Sequence, residues 1–413
     1  MKKLISTIIL FCAFKFVMLE EIPDLLRVRK AEDAEGVEFF ALDTIGLIEK
    51  WGYPAEQHNV TTKDGYNLNM FRIPSSPNAT KKNNKVVFIQ IGMLGTSDVC
   101  VYFGPNRSLA LQLADEGYDV WLGNYRGSTY GRSHVKLSPD DGEFWNFSFH
   151  EIGMEDLPCM IDYVLNVTNK KSLILVCQSM ATSATLVLLS EQPEYNKKID
   201  LVVMLSPVSA MYYKLPIRNF FMILVKIWQQ LLEPYDTLFE LFRQSSVVPA
   251  FFKRVCIPND IIDLCFLLPD IVVGKDREQL EMEHLVDFMC YSPSGASSKL
   301  FWHYRQLEEY SKFSPYDYED VDKNIKHYGQ SVPPEYNLKN VKVPMLFYYA
   351  PRVDLLSMEK DVLELAKRVT SDVISEPIKW DNFNHLDFAT AKDVKTLVND
   401  LVIEQFIMYI NHQ

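Results

Sequence analysis

The sequence predicts an α/β fold with a mostly parallel central sheet, and three observations lead there. Short β-rich apolar runs recur at Lys85–Gln90, Tyr118–Leu122, Ser172–Val176 and Asp200–Leu205. The stretches between them, such as SLALQLADEG and GMEDLPCMIDYVLNV, have helical composition, with Pro158 suited to a first turn or a kink. Two further runs, Pro344–Ala350 and Val373–Trp380, resume the pattern near the C-terminus. Apolar strands alternating with helices build a parallel sheet covered on both faces.

From about Met211 to Pro334 the texture changes to aromatic-rich helical segments broken by prolines. Lys226, Asp263 and Asp270 interrupt its apolar runs, which argues against membrane-spanning helices. This stretch reads as a helical subdomain with its own core, and its apolar surface suits a roof over a greasy pocket. The expected division is a leader at 1–18 with an uncertain cleavage point, a core in two parts at 36–209 and 336–413, and a helical insertion at 210–335.

The leader reading rests on two early lysines followed by the uncharged run Leu4–Phe14, which Lys15 ends far short of the ~20 residues of a transmembrane helix. A buried amphipathic helix is the alternative. Five N-x-S/T sequons, at Asn59, Asn78, Asn106, Asn146 and Asn166, fit a secreted glycoprotein, with lysosomal delivery the other destination. The net charge of −12 argues against nucleic-acid backbones and anionic membrane surfaces. Without C-x-x-C or H-E-x-x-H, and with scattered histidines, the sequence supports no metal site and calls for no cofactor. Cys256 and Cys265 are spaced to close a small loop in an oxidising compartment. The oligomeric state is not legible.

Chemistry is suggested by Lys171–Ser190, KSLILVCQSMATSATLVLLS. An apolar strand runs straight into Ser179 and then into a helical pattern, the context of the G-x-S-x-G elbow of an α/β-hydrolase, although neither glycine is present. A hydroxyl at that helix N-terminus meets orphan N–H groups, and the Met180 N–H is a natural oxyanion donor. Serine needs a base, and the base an orienting carboxylate. Asp354 follows one predicted strand and His385 another, in the chain order Ser, Asp, His of this fold. Singly, each has a plainer role as helix cap, turn residue or satisfied histidine; order and context select the triad.

Several blocks carry a resemblance: WGYP (Trp51–Pro54), TTKDGYNL (Thr61–Leu68), ADEGYDVWLGNYRGSTYGR (Ala114–Arg132), LSPDDGEFWNFSFHEIGMEDLPCMIDYV (Leu137–Val164), LSPV (Leu205–Val208) and NHLDF (Asn384–Phe388). Over nearly the whole mature chain the sequence resembles the acid lipase family, which includes gastric and lysosomal acid lipases. The resemblance implies an α/β-hydrolase core, a helical cap with a lid, hydrolysis of carboxylic esters of lipids at a lipid–water interface, and a triad of Ser179, Asp354 and His385. It also implies a cap disulfide between Cys256 and Cys265. Where the family reads G-H-S-Q-G, this chain reads Cys177-Gln178-Ser179-Met180-Ala181; where it reads H-G-L-L, this chain has Ile91-Gly92-Met93-Leu94. A thiol and a methyl are therefore expected to crowd the elbow, and Ile91 to leave the loop that presents the second oxyanion donor, the Met93 N–H, without a brace. Cys177, at the strand end, is expected to be a buried, inert thiol. The rival expectation is a lipid-binding or storage protein that keeps fold and pocket without efficient catalysis.

Overall fold

Apolar alternation on strands buried from both sides decides the architecture of this protein. The computed structural model describes residues 24–232, 238–258 and 261–411. The expected leader lies outside the described residues.

Two short strands, β1 (Leu26–Val28) and β2 (Phe40–Leu42), pair in parallel ahead of the main sheet. The main sheet opens with β3 (Glu56–Thr61) and β4 (Tyr66–Ile73). It continues through β5 (Val86–Gln90), β6 (Asp119–Gly123), the two-residue β7 (Ser133–His134), β8 (Leu173–Gln178) and β9 (Ile199–Leu205). A small antiparallel pair, β10 (Glu240–Leu241) and β11 (Ala296–Ser297), sits within the helical stretch. The strands β12 (Met345–Tyr349) and β13 (Val373–Pro377) then complete a nine-stranded sheet of order β13-β12-β9-β8-β5-β6-β4-β3, with β7 against β4.

Pairing is parallel from β13 to β6 and antiparallel where β4 joins β6, β3 and β7. The six parallel strands coincide with the six predicted runs. The β3–β4 hairpin was not among them, although Lys63-Asp64-Gly65 between the two strands is a hairpin signal.

All six residues of β8 are buried. Leu173, Leu175 and Cys177 face one apolar cluster with Trp121 and Phe347, while Ile174 and Val176 face the other with Val203 and Tyr348. The period of two thus feeds two cores, one on each side of the sheet. Immediately after β8, the Met180–Glu191 helix is buried along its length except at Glu191. Its hydroxyls stay satisfied: Ser183 donates to Val208 O at 2.7 Å and Thr185 to Ala181 O at 2.8 Å. Neighbouring backbone comes so close that a Cβ on Gly153 would stand 2.5 Å from Ala184 O, which explains the glycine in that matched block.

Between β9 and β12 lie the helices Pro216–Leu232, Met282–Phe288, Ser298–Tyr310 and Val321–Tyr328, among others of seven residues or fewer. Phe252, Cys256, Phe266 and Leu285 form an apolar cluster of their own there. Cys256 and Cys265 are joined by a disulfide.

Candidate active site

Three parallel strands end at one place, and each delivers one polar side chain to it. At the tip of β8 the chain turns sharply: Ser179 has φ 54° and ψ −124°, and Met180 already opens the following helix. For a non-glycine residue such a backbone costs about 1–3 kcal/mol and persists only where surrounding bonds dictate it. Here the Ser179 N–H donates to Leu205 O at 3.0 Å, and Ser179 O accepts from the Thr182 N–H at 2.8 Å and the Thr182 hydroxyl at 2.5 Å.

The loop after β12 carries Asp354, whose Oδ1 accepts the N–H groups of Leu356 at 2.9 Å and Ser357 at 3.1 Å. The loop after β13 carries His385, whose N–H donates to Val273 O at 3.1 Å. Asn384 shapes that turn by accepting from the N–H of Leu386 and of Asp387 through its side chain. His385 Nε2 lies 2.7 Å from Ser179 Oγ, and His385 Nδ1 lies 2.7 Å from Asp354 Oδ2. Asp354 and His385 are buried, and Ser179 is half-buried. Burial pushes the Asp354 carboxyl upward, but the His385 charge and the hydrogen bonds from His385, Ser206 and Ser357 outweigh it. The carboxyl therefore stays below its ordinary range and ionised beside the imidazole.

The altered elbow is accommodated. Cys177 and Ala181 are both fully buried, the thiol 3.5 Å from Val203 O. Burial raises the Cys177 thiol to about 12, so it remains protonated and unreactive. The glycine that this turn does require is Gly92: a Cβ there would stand 2.7 Å from Ser179 Cβ and 2.8 Å from Gln178 O. That approach lays the Gly92-Met93 turn over the Met180 N–H, only 3.1 Å from the same Cβ position. Met180 opens its helix, so its N–H lacks an intrahelical partner.

The brace expected to be missing at Ile91 is supplied elsewhere. Buried Tyr125 accepts the Leu94 N–H at 2.8 Å and donates to Gly295 O at 3.3 Å. Ser292 and Ser294 donate to Leu94 O and Gly95 O, each at 3.2 Å. Leu94 itself is held at φ 67°. Sequence reasoning missed Tyr125, which lies inside a matched block, and Ser206, which follows β9 directly; a polar residue at a parallel strand's C-terminal end was the available signal for Ser206.

Asp387, two residues beyond His385, is pushed up to about 8 by burial, against the Asn384 N–H it accepts and with help from Asp276. A carboxyl whose folded pKa is raised contributes stability fully at low pH and loses it as pH rises through about 8. Asp387→Asn is expected to flatten the fall of the thermal midpoint between pH 5 and pH 8.5, endpoints that lie about three units below and about half a unit above that value. Differential scanning calorimetry at the two pH values checks this.

The five sequon asparagines are exposed. Among the described residues no group of histidine, cysteine and carboxylate side chains could hold a metal ion, and no helix is long and apolar enough to cross a membrane.

Comparison with known proteins bears on the family and the fold. A family model described as a partial alpha/beta-hydrolase lipase region matches residues 44–102, and one described as the alpha/beta hydrolase fold matches residues 85–258. Lipase 3 of Drosophila melanogaster is 37% identical over 370 residues, 88% of this chain and 92% of that protein. Gastric triacylglycerol lipase of Bos taurus is 34% identical over 365 residues, 86% of this chain and 89% of that protein. In fold the chain is similar to a structure from Sulfolobus solfataricus, with a TM-score of 0.55 at 14% identity, covering 86% of this chain and 99% of that one. It is also similar to a soluble variant of monoglyceride lipase from Saccharomyces cerevisiae, with a TM-score of 0.50 at 12% identity, covering 86% of this chain and 96% of that one. On this identity and coverage the chain belongs to the acid lipase family of α/β-hydrolases and is a carboxylic ester hydrolase.

Proposed function

We propose that the protein is a secreted, glycosylated lipase that cleaves neutral lipid esters, triacylglycerol or sterol ester, through an acyl-enzyme. The alignment of Ser179 Oγ, His385 Nε2 and Asp354 Oδ2 carries this reading. Ser179 attacks the ester carbonyl while His385 takes its proton, giving a tetrahedral oxyanion held by the N–H groups of Met180 and Met93. The C–O bond to the alcohol breaks as His385 returns the proton to the departing oxygen. Water, deprotonated by His385, then attacks the acyl-serine and releases the fatty acid and free Ser179. Asp354 holds the imidazole in the tautomer that leaves Nε2 unprotonated, and stabilises the imidazolium.

The helix Pro216–Leu232 supports a lipid–water interface as the working surface. Its apolar residues Ile217, Phe220, Ile223, Leu224, Ile227 and Leu231 are exposed at helical spacing. Its two charges are paired instead: Arg218 is buried, its Nη1 donating to Asp361 at 3.0 Å, with Glu308 Oε2 2.7 Å from Nε as an ion pair. Lys226 pairs with Glu309 at 2.7 Å. Such inverted amphipathicity suits an apolar surface better than water.

The test is hydrolysis of emulsified triolein and of a sterol ester by the purified protein, beside His385→Ala. Turnover lost in His385→Ala supports the reading; retained turnover, or co-purified lipid with no hydrolysis, overturns it. Ile223→Asp with Ile227→Asp is expected to lower turnover of emulsions about ten-fold or more, two exposed apolar side chains that the lipid would bury being worth roughly 1.5–3 kcal/mol each. Dissolved short-chain esters should turn over unchanged.

A further inference from the structure

A fourth side chain reaches the group that carries the proton. Ser206 follows β9 immediately and is fully buried. Its N–H donates to Tyr348 O at 2.8 Å, which ties the turn to β12. Its φ is 54°, a conformation that a non-glycine residue holds only under constraint. From there the Ser206 hydroxyl lies 2.6 Å from Asp354 Oδ2 and 2.8 Å from His385 Nδ1, while Nδ1 and Oδ2 are 2.7 Å apart. Three atoms thus form a closed triangle.

Chemistry orients this triangle. An ionised carboxylate only accepts, so the hydroxyl proton goes to Oδ2, and the hydroxyl oxygen turns a lone pair toward the Nδ1–H of the ring. The other carboxylate oxygen, Oδ1, is already held by the N–H groups of Leu356 and Ser357. Oδ2 is held by Ser206 and by the imidazole that it has to steer. Without the hydroxyl, among the described residues only the moving partner fixes the oxygen that sets that partner's position.

The geometry points to Ser206 as a positioning residue for ester hydrolysis: its hydroxyl pins Asp354 Oδ2 and offers the protonated His385 a second acceptor at Nδ1. This inference rests on the triad reading above. Asp354 is the carboxylate in contact with His385, and Asp387 on the same turn is engaged by the Asn384 N–H. Loss of the hydroxyl therefore leaves Asp354 as the sole acceptor of the Nδ1 proton among the described residues.

Two variants test it. Ser206→Ala removes the hydroxyl at the same backbone strain, and Ser206→Gly removes it while relieving that strain, so a fold failure of the first leaves the second to read. With a dissolved short-chain ester, both are expected to lose about ten-fold in kcat, the loss of one charge-assisted hydrogen bond of roughly 1.5 kcal/mol, with KM within two-fold of the parent. The acid limb of kcat/KM should move to lower pH, because the imidazolium has lost an acceptor oxygen. A purely structural role would lower the thermal midpoint and leave that limb in place. An unchanged kcat and acid limb in either folded variant overturns the proposal, as does recovery of the parent rate in Ser206→Gly alone. If His385→Ala retains parental turnover, the triad reading falls; if it is inactive while the Ser206 variants are fully active, only the role of Ser206 falls.

Discussion

Replacing Ser179 with alanine is expected to lower kcat by about 10⁶, and replacing Asp354 with asparagine by about 10⁴, while both proteins remain folded. The first change deletes the attacking oxygen, which sits 2.7 Å from His385 Nε2. The second acts through the proton inventory. Asparagine offers an N–H where Asp354 Oδ2 accepts from His385 Nδ1 at 2.7 Å, so the imidazole is driven to the tautomer with its proton on Nε2. That nitrogen then has no lone pair for Ser179. Titration of released fatty acid at constant pH measures both losses, and unchanged thermal midpoints show that the turn and its loops survive. Labelling by a fluorophosphonate gives a second readout: stoichiometric on the parent and absent in Ser179→Ala. A Ser179→Ala protein that still hydrolysed ester at the parental rate would remove the triad reading.

The second large effect is on stability and lies away from this chemistry. Arg126 is 1% exposed and bridges two carboxylates. Its Nε donates to Asp156 Oδ1 at 2.7 Å, its backbone N–H to Asp156 Oδ2 at 2.9 Å, and its Nη1 to Asp64 Oδ2 at 2.6 Å. The guanidinium also lies 4.1 Å over the Tyr66 ring. Burial, only partly offset by Arg126, keeps the Asp156 carboxyl above its usual range even with the pair intact. Arg126→Met leaves that carboxylate in the interior without its partner, which typically destabilises by about 3–5 kcal/mol. The urea midpoint should fall accordingly. Adding Asp156→Leu to the same chain should recover part of the loss, because a matched apolar pair tolerates burial where a lone charge does not. No recovery would mean that the packing around Tyr66, not the unpaired charge, dominates.

These two effects bear on what the sequence makes legible. The blocks around Thr61–Leu68, Ala114–Arg132 and Leu137–Val164 carry the family resemblance, yet Asp64, Arg126 and Asp156 meet in a structural clamp remote in kind from catalysis. The six parallel strands were readable because burial on both faces writes a continuous apolar run. The β3–β4 hairpin escaped because its strand β3 is largely exposed and polar, so its only cue is the turn. At the site, Ser179, Asp354 and His385 were readable from chain order and strand ends. Ser206 and Tyr125 were not, because a serine or tyrosine acquires such a role only from positions nearly 150 residues away or more, as the contacts of Ser206 with Asp354 and of Tyr125 with Gly295 show. Likewise the brace expected to be lost at Ile91 proved to come from Tyr125, Ser292 and Ser294.

The thiol beneath the elbow has one more consequence. Cys177 is sealed on the inner side of β8, away from the half-exposed hydroxyl two residues on, and stays protonated far above physiological pH. Oxidants and alkylating reagents attack thiolates that they can reach. The nucleophilic turn is therefore insulated from the redox state of its surroundings, and among the described residues disulfide chemistry is confined to the Cys256–Cys265 loop.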